Sequence, residues 1–126
     1  MLGAAPLIAF VATADFTRAR RFYVDLLGLK IISESPFALE LDSAGTMLRV
    51  TKVAEVRPAP YTVLGWRVSD IGQIVTELQS RAIVIERYPG MVQDEFGVWT
   101  SPDGTRVAWF KDPDGNLLSL TEFPSA

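Results

Sequence analysis

The sequence predicts an α+β fold made of two modules that share one order of elements: a strand, a helix and three further strands. Three observations support this fold. A Pro-containing connector, Glu55–Pro60, divides the chain. A strand followed by a capped helix occurs on both sides of the connector, and runs rich in β-branched and aromatic residues end both halves. We therefore expect module 1–54 and module 61–126 to pair within a single domain over residues 1–126.

The small size of each module explains why the two should pair. A unit of about 60 residues hides too little surface to bury both its helix and its sheet well. Two modules laid edge to edge give a cupped mixed sheet with the helices on the outer face. The concave face of such a sheet is a natural site for a small molecule.

The first module begins with a mostly apolar run, Leu7–Thr13, which is typical of a central strand. Asp15 then fits a helix N-cap, because its carboxylate can accept hydrogen bonds from the first free N–H groups. Apolar residues follow with helical spacing, and Gly28 ends the helix. These apolar residues are Phe16, Ala19, Phe22, Tyr23 and Leu26. Three further strands are predicted at Leu29–Ser33, Phe37–Asp42 and Thr46–Val53.

The second module restarts the pattern. Tyr61–Val68 is predicted as a strand, and Ser69 or Asp70 then caps a helix. The apolar face of that helix consists of Ile71, Ile74, Val75 and Leu78. Ala82–Arg87 is predicted as a strand, and Gly97–Phe123 carries two Pro-Asp-Gly turns that divide three antiparallel strands. The two modules match in strand number if Ala82–Arg87 and the first of these runs form one irregular strand region.

Composition excludes several classes of site. The chain has no cysteine and no histidine, which excludes disulfides, thiol catalysis, zinc–thiolate sites and Ser-His-Asp triads. The net charge of −3 argues against a nucleic-acid partner. No apolar run reaches the roughly 18 residues that a membrane span needs, so no membrane partner is expected. The N-terminal stretch lacks the basic region of a signal peptide, and the expected location is the cytoplasm.

Three segments carry a family resemblance: 15–29 (DFTRARRFYVDLLGL), 68–71 (VSDI) and 110–120 (FKDPDGNLLSL). Together they resemble the vicinal-oxygen-chelate superfamily, which includes glyoxalase I, extradiol dioxygenases, fosfomycin resistance proteins and bleomycin-binding proteins. The resemblance covers nearly the whole chain. It implies paired βαβββ modules, usually assembled as a homodimer. Its motifs are specific for the fold and for no single activity.

The same resemblance implies where a metal would bind. Metal-using members place ligands, typically His or Glu, at four strand positions. In this chain the positions correspond to Ile8, a residue near Arg49, Val63 (or Leu64) and Ser119. None of these is a good ligand for a divalent cation. We therefore expect no metal and no other cofactor, and we do not expect the metal-dependent activities of the family.

Side-chain alternation along the strands, together with the tryptophans, selects the candidate ligand-binding residues. They are Phe10, Arg49, Arg67, Trp99, Trp109 and Ser119. The two arginines could hold a carboxylate or phosphate or stack on a planar ligand, or each could form an ion pair with a carboxylate such as Glu40. Trp99 and Trp109 fit an aromatic wall for a flat ligand, or alternatively core or dimer packing. Trp66 is expected in the core.

Carboxylates give weaker candidates. Asp112 and Asp114 are explained by the turn that contains them. Asp94 and Glu95 lie in a predicted loop, where they could act as a general base at the rim of the site or could simply be solvated.

The residues favour a metal-independent protein that binds a small organic ligand, with antibiotic binding as one form of this function. An alternative of a different class is a metal-independent lyase or isomerase that uses carboxylates, Tyr61 or arginine. A third is a degenerate fold retained as a dimerisation or accessory module.

Overall fold

The computed structural model describes residues 1–125, and the chain divides after Pro58 into two compact units. The strands form two four-stranded mixed sheets, one in each unit. Each unit has the predicted order of one strand, one helix and three strands, so the predicted α+β class and its repeat are confirmed. We describe each unit separately.

The first unit opens with a short 3-10 helix, Leu2–Ala4, which is followed by a second helix and four strands. The strands are β1 (Ile8–Thr13), β2 (Lys30–Glu34), β3 (Ala38–Ser43) and β4 (Thr46–Lys52). Their order in the sheet is β1-β4-β3-β2, with β1 and β4 parallel and the other pairs antiparallel. Ala44 and Gly45 join β3 to β4 with φ values of 49° and 91°. Two left-handed residues in succession make the type I′ turn that suits the twist of a tight hairpin.

The helix of the first unit starts as predicted and then changes its hydrogen-bond pattern. Asp15 caps α1 (Phe16–Arg20) by accepting hydrogen bonds from the backbone N–H groups of Thr17 and Arg18. The continuation, Arg21–Leu26, is a π-helical segment and not the α-helix that the periodicity predicts. Its wider turns use i→i+5 hydrogen bonds, as between Leu27 N and Phe22 O at 2.9 Å.

The core of the first unit lies on one face of its sheet. The strand residues that are almost fully buried there are Val11, Leu39, Leu41, Leu48 and Val50. Ile8 and Phe10 alternate with Val11 on β1 and are about half exposed, as the alternation predicts. Leu7 belongs to the predicted strand Leu7–Thr13, but it precedes β1 and is 81% exposed.

The second unit repeats this connectivity. It contains β5 (Leu64–Arg67), α2 (Ile71–Ser80), β6 (Trp99–Thr100), β7 (Arg106–Lys111) and β8 (Leu117–Glu122). The sheet order is β5-β8-β7-β6, with β5 and β8 parallel. β6 is the first of the three strands predicted within Gly97–Phe123. It has the edge position in this sheet that β2 has in the first sheet, without a contribution from Ala82–Arg87.

The prediction of a strand at Ala82–Arg87 is wrong. In the described part of the chain, this segment forms a single bridge, between Ile85 and Phe110, instead of a strand. Ala82 has a left-handed φ of 62° directly after α2, which turns the backbone away from a regular ladder. Further along, the side-chain amide of Gln93 donates to Glu86 O, so a side chain occupies a carbonyl that a neighbouring strand would use.

Two carboxylates bind the N-terminal end of α2, and one of them comes from its sheet. Asp70 is the N-cap and accepts from the N–H of Gln73, while Glu122 at the end of β8 accepts from the N–H of Ile71 at 2.9 Å. Negative charge at a helix N-terminus also interacts favourably with the helix dipole. The buried side chains of α2 are Ile71, Val75 and Leu78, and the helix packs against β7 and β8. Within residues 1–125 the helices are too short and too polar to cross a bilayer.

Candidate functional site

The second sheet has one buried face and one far face, defined here as the face opposite α2. Ala108, Phe110, Leu118 and Leu120 are buried on the α2 side. Because directly paired residues share a face, the register assigns the intervening residues to the far face. They are Val63, Gly65, Arg67, Trp99, Val107, Trp109, Lys111, Leu117, Ser119 and Thr121.

Four of the six candidate residues share this far face. Gly65, Ser119 and Trp109 are paired in one row across β5, β8 and β7. Arg67 and Trp99 belong to the adjacent row, with Thr121 and Val107 between them. The alternation argument placed Arg67 and Ser119 on one face, and the register puts Trp99 and Trp109 on that face as well. Trp66 alternates to the α2 side and stacks on Phe110, with ring centroids 6.2 Å apart.

Phe10 and Arg49, the other two candidates, lie in the first unit. They are paired residues on β1 and β4. The Nε atom of Arg49 is buried and lies 3.6 Å from Oε2 of Glu40, which is ion-pair distance but longer than a hydrogen bond. Glu40 also accepts from the hydroxyl of Ser33. The ion-pair alternative thus describes Arg49 in this structure.

Arg67 differs from Arg49. It is exposed, and within residues 1–125 no carboxylate forms an ion pair with it. Its guanidinium carbon lies 5.1 Å from the centre of the Phe123 ring, a cation–π contact. A guanidinium held this way keeps its N–H donors available for an anionic group.

Trp109 forms a cluster with two other aromatic side chains. The Trp99 ring lies 6.4 Å from the Trp109 ring at an interplanar angle of 41°. The Tyr88 ring meets Trp109 edge-on, at 5.6 Å and 86°. Aromatic pairs prefer such offset and edge-to-face geometries, so the cluster presents a continuous, well-packed aromatic wall.

A surface pocket of about 350 Å³ lies beside this wall, entirely within the second unit. Its lining residues are Pro60, Tyr61, Thr62, Tyr88, Met91, Trp109 and Leu117. Sequence reasoning identified only Trp109 of this set as a ligand-binding residue. Pro60, Tyr61 and Thr62 precede β5, and Tyr88 and Met91 lie in the loop before β6, so no regular strand sets the direction of these side chains. The aromatic and proline residues around Tyr61 and Tyr88 were the available signal.

Loop 86–97 positions Tyr88 and Met91 through a defined turn. The N–H of Met91 donates to Tyr88 O at 3.2 Å, and Gly90 has φ of 80°. Proline at the second position and a left-handed glycine at the third are the requirements of a type II turn. Gln93 then closes the loop: its Oε1 accepts from Tyr88 N, and its Nε2 donates to Glu86 O and Gly97 O. Both pocket residues are therefore rigidly held.

The hydroxyl of Tyr88 is an unusual polar group of the second unit. Its oxygen is shielded from solvent and has no hydrogen-bond partner within residues 1–125. Burial, followed by the negative charge of Glu86, raises the pKa of Tyr88 above its ordinary value. At neutral pH the phenol is thus protonated and can donate a hydrogen bond.

The acidic residues nearby serve structure. Asp94 Oδ1 accepts from the N–H groups of Phe96 and Val98, and its carboxylate lies 3.9 Å from Arg106. Asp112 accepts from the N–H groups of Asp114 and Asn116, which confirms the turn interpretation of this aspartate. A carboxylate with these backbone partners is poorly suited to act as a general base, because proton transfer would disrupt the loop it holds.

Comparison with known proteins identifies the family of this chain. The family model described as the Glyoxalase/Bleomycin resistance protein/Dioxygenase superfamily matches residues 6–120. The chain belongs to this superfamily. The resemblance found in the sequence is therefore confirmed. No curated protein sequence matches the chain significantly.

Several solved structures share the fold of this chain. A glyoxalase family protein from Bacillus anthracis is 17% identical, with a TM-score of 0.75 and 95% of each chain covered. Lactoylglutathione lyase from Agrobacterium tumefaciens is 18% identical, with a TM-score of 0.74 and coverage of 94% of this chain and 93% of the lyase. TnmS3, an antibiotic binding protein from Streptomyces sp. CB03234, is 24% identical, with a TM-score of 0.73 and coverage of 96% and 97%. An enzyme and a binding protein are thus about equally similar in fold.

The residues at the superfamily's ligand positions do not fit a divalent metal. In the second unit the resemblance implies positions at Val63 (or Leu64) and Ser119, which offer one hydroxyl between them. In the first unit it implies Ile8 and a position near Arg49, an apolar and a cationic side chain. Among residues 1–125, no three His, Cys, Asp or Glu side chains converge as a metal site requires.

Proposed function

We propose that this superfamily member is a metal-independent protein that binds a flat aromatic small molecule in the pocket of its second unit. The observation that carries the proposal is the wall of Tyr88, Trp109 and Trp99 beside a pocket of about 350 Å³. The antibiotic-binding function of TnmS3, which has the same fold, supports binding as the activity. Antibiotics with fused aromatic rings are the first ligand class to test.

The physical chemistry of the pocket suits a planar ligand. Pockets for small molecules typically range from about 300 to 1,000 Å³ and are mainly apolar, and this pocket lies at the small end of that range. A ring stacked on Trp109 gains about 0.5–1.5 kcal/mol beyond the free energy of burying its area. Pro60, Met91 and Leu117 supply further apolar contact. The loop is already ordered by Gln93, so binding costs little conformational entropy.

Polar recognition in this proposal falls to Arg67 and Ser119. Ser119 is paired with Trp109, one strand away, at a spacing of about 5 Å. Arg67 is paired with Thr121, which lies two residues beyond Ser119 on β8. A ligand that extends from Trp109 across β8 would bring an anionic substituent toward the Arg67 guanidinium. The ligand contacts predicted for Phe10 and Arg49 remain predictions. The homodimer and the cytoplasmic location also remain predictions.

The test is binding of a panel of flat aromatic antibiotics, measured by calorimetry before and after treatment with a chelator. We expect at least one compound to bind with micromolar affinity, unchanged by the chelator. Trp109→Leu should weaken that binding about tenfold, since tenfold corresponds to about 1.4 kcal/mol. The matched control is Trp66→Leu, which removes a half-buried tryptophan from the α2 side and should leave affinity within about twofold.

Two outcomes contradict the proposal. One is the absence of binding by any flat compound, and the other is equal loss of affinity in the two tryptophan variants while circular dichroism shows both to be folded. Loss of binding on chelation would instead identify a metal-dependent site.

A further inference from the structure

Lys111 and Arg67 both lie on the far face of the second sheet, and they differ in what neutralises them. Lys111 Nζ lies 3.6 Å from Oε1 of Glu86, so its charge has a partner. Arg67 is exposed, and within residues 1–125 its guanidinium has neither an ion pair nor a hydrogen bond. The chain has more acidic than basic side chains, yet none of those described lies at ion-pair distance from Arg67. The positive charge of Arg67 is therefore available to a ligand.

Phe123 restricts where the Arg67 guanidinium can lie. The guanidinium carbon is 5.1 Å from the centre of the Phe123 ring. Such a cation–π contact holds an arginine side chain without using its N–H donors. Because part of the side-chain freedom is already lost before a ligand arrives, binding an oxyanion at these donors costs less conformational entropy.

The surface between Arg67 and the aromatic wall is open. Gly65 lies two residues before Arg67 on β5, is exposed and has no side chain to fill the space. Thr121, the partner of Arg67 on β8, is short and only half-buried. Trp109 is two strands away from Arg67 and two residues further along, which separates their Cα atoms by roughly 12 Å. A planar compound of three fused rings with an acidic group at one end matches this separation.

We propose that Arg67, positioned by Phe123, makes the site selective for aromatic acids, that is, planar compounds with a carboxylate or another oxyanion at one end. This inference rests on the proposed function, since the ring of the ligand has to stack at Trp109. It narrows the ligand class from flat aromatic compounds in general to those with an anionic end. Arg67 contacts the anion, and Phe123 acts through Arg67.

The experiment compares two probes with the same ring skeleton, anthraquinone-2-carboxylate and anthraquinone-2-carboxamide. Their affinities for the full chain are measured by equilibrium dialysis at about pH 7, where the carboxylic acid is ionised. A charge-assisted hydrogen bond at an exposed site should give the wild-type protein about a 3- to 10-fold preference for the carboxylate. Added salt should reduce this preference, because it screens exposed charges.

Arg67→Gln should abolish the preference and leave the affinity for the carboxamide within about twofold. Lys111→Gln is the matched control, since it removes one positive charge from the same face, and it should retain a preference for the carboxylate. Phe123→Leu should lower the preference about twofold without changing carboxamide binding, and Phe123→Tyr, which keeps the ring, should restore it. These three side chains are exposed, so the variants should fold as the wild-type protein does.

Three results would overturn the inference: equal wild-type affinity for the two probes, a preference that survives Arg67→Gln, or a preference that Lys111→Gln abolishes as completely. An unchanged preference in Phe123→Leu would reject the positioning role of Phe123.

The two proposals fail in different ways. Equal binding of both probes, weakened by Trp109→Leu, supports the aromatic site and rejects the role of Arg67. If neither probe binds, the selectivity for aromatic acids is rejected, whereas the panel of antibiotics decides the proposed function separately.

Discussion

Gly65 on β5 faces Ser119 across the sheet, and replacing it by alanine tests how closely the two strands approach on the far face. A Cβ atom at this position would lie 2.8 Å from Ser119 Oγ and 3.3 Å from Ser119 O. Contacts under 3.0 Å force a shift of one of the two atoms. Ser119 is 8% exposed, so its hydroxyl has little room to move.

The expected cost follows from two opposing contributions. Overpacking of this kind typically costs about 1–3 kcal/mol. Because the substitution adds a single atom, we expect a cost in the lower half of this range, about 1–2 kcal/mol. Alanine in place of a strand glycine recovers about 0.5–1 kcal/mol of unfavourable backbone entropy. Gly65→Ala should therefore lower the free energy of unfolding by up to about 1.5 kcal/mol, as measured by urea denaturation.

A double-mutant cycle with Ser119→Ala isolates the contact. This second change removes the atom at 2.8 Å and leaves the carbonyl at 3.3 Å, so Gly65→Ala should become neutral or stabilising in that background. Gly3→Ala is the control, because no atom lies within 4 Å of its added Cβ, and it should not lower stability. The reasoning is refuted if Gly65→Ala costs as much in the Ser119→Ala background as in the wild-type protein.

Two further predictions concern loop 86–97. Gln93→Leu leaves Tyr88 N, Glu86 O and Gly97 O without their side-chain partner, and should cost about 2–3 kcal/mol while accelerating amide hydrogen exchange of Tyr88; unchanged exchange would show that the loop is held by other contacts. The raised pKa of Tyr88 means that the unfolded chain loses its phenol proton first, so stability should fall as pH rises above about 10. The stability of the Tyr88→Phe variant should fall less steeply from about pH 9 to about pH 11. Equal slopes for the variant and the wild-type protein would contradict the pKa shift.

Alternation in strands explains which parts of the site could be predicted. Once β5, β7 and β8 are assigned, a period of two fixes the face of every residue on them, so Arg67, Trp109 and Ser119 follow from the sequence. The turn at Asp112 was equally accessible, because its carboxylate bonds backbone groups only two and four residues away. Local hydrogen bonds and the alternation of side chains along a strand can both be predicted from a single sequence.

The pocket beside the wall could not be predicted, because irregular contacts within loop 86–97 define much of it. Ala82–Arg87 has the composition of a strand, yet a left-handed residue at its start and one side-chain amide, that of Gln93, replace the ladder. Tyr88 reaches the pocket only because that amide fixes the loop. Neither effect has a periodic signature, so composition favoured a strand where tertiary contacts favour a loop.

The distribution of polar partners on the second unit separates binding from acid–base chemistry. Asp94 and Asp112 accept backbone hydrogen bonds, and Glu86 is paired with Lys111. Within residues 1–125, Arg67 has no carboxylate partner and the Tyr88 hydroxyl has no hydrogen-bond partner. Both of these groups donate, and neither is a base at neutral pH. Arg67 is therefore available to an acceptor-bearing ligand, whereas Asp94, Asp112 and Glu86 are held in contacts within the protein and are poorly suited to abstract a proton.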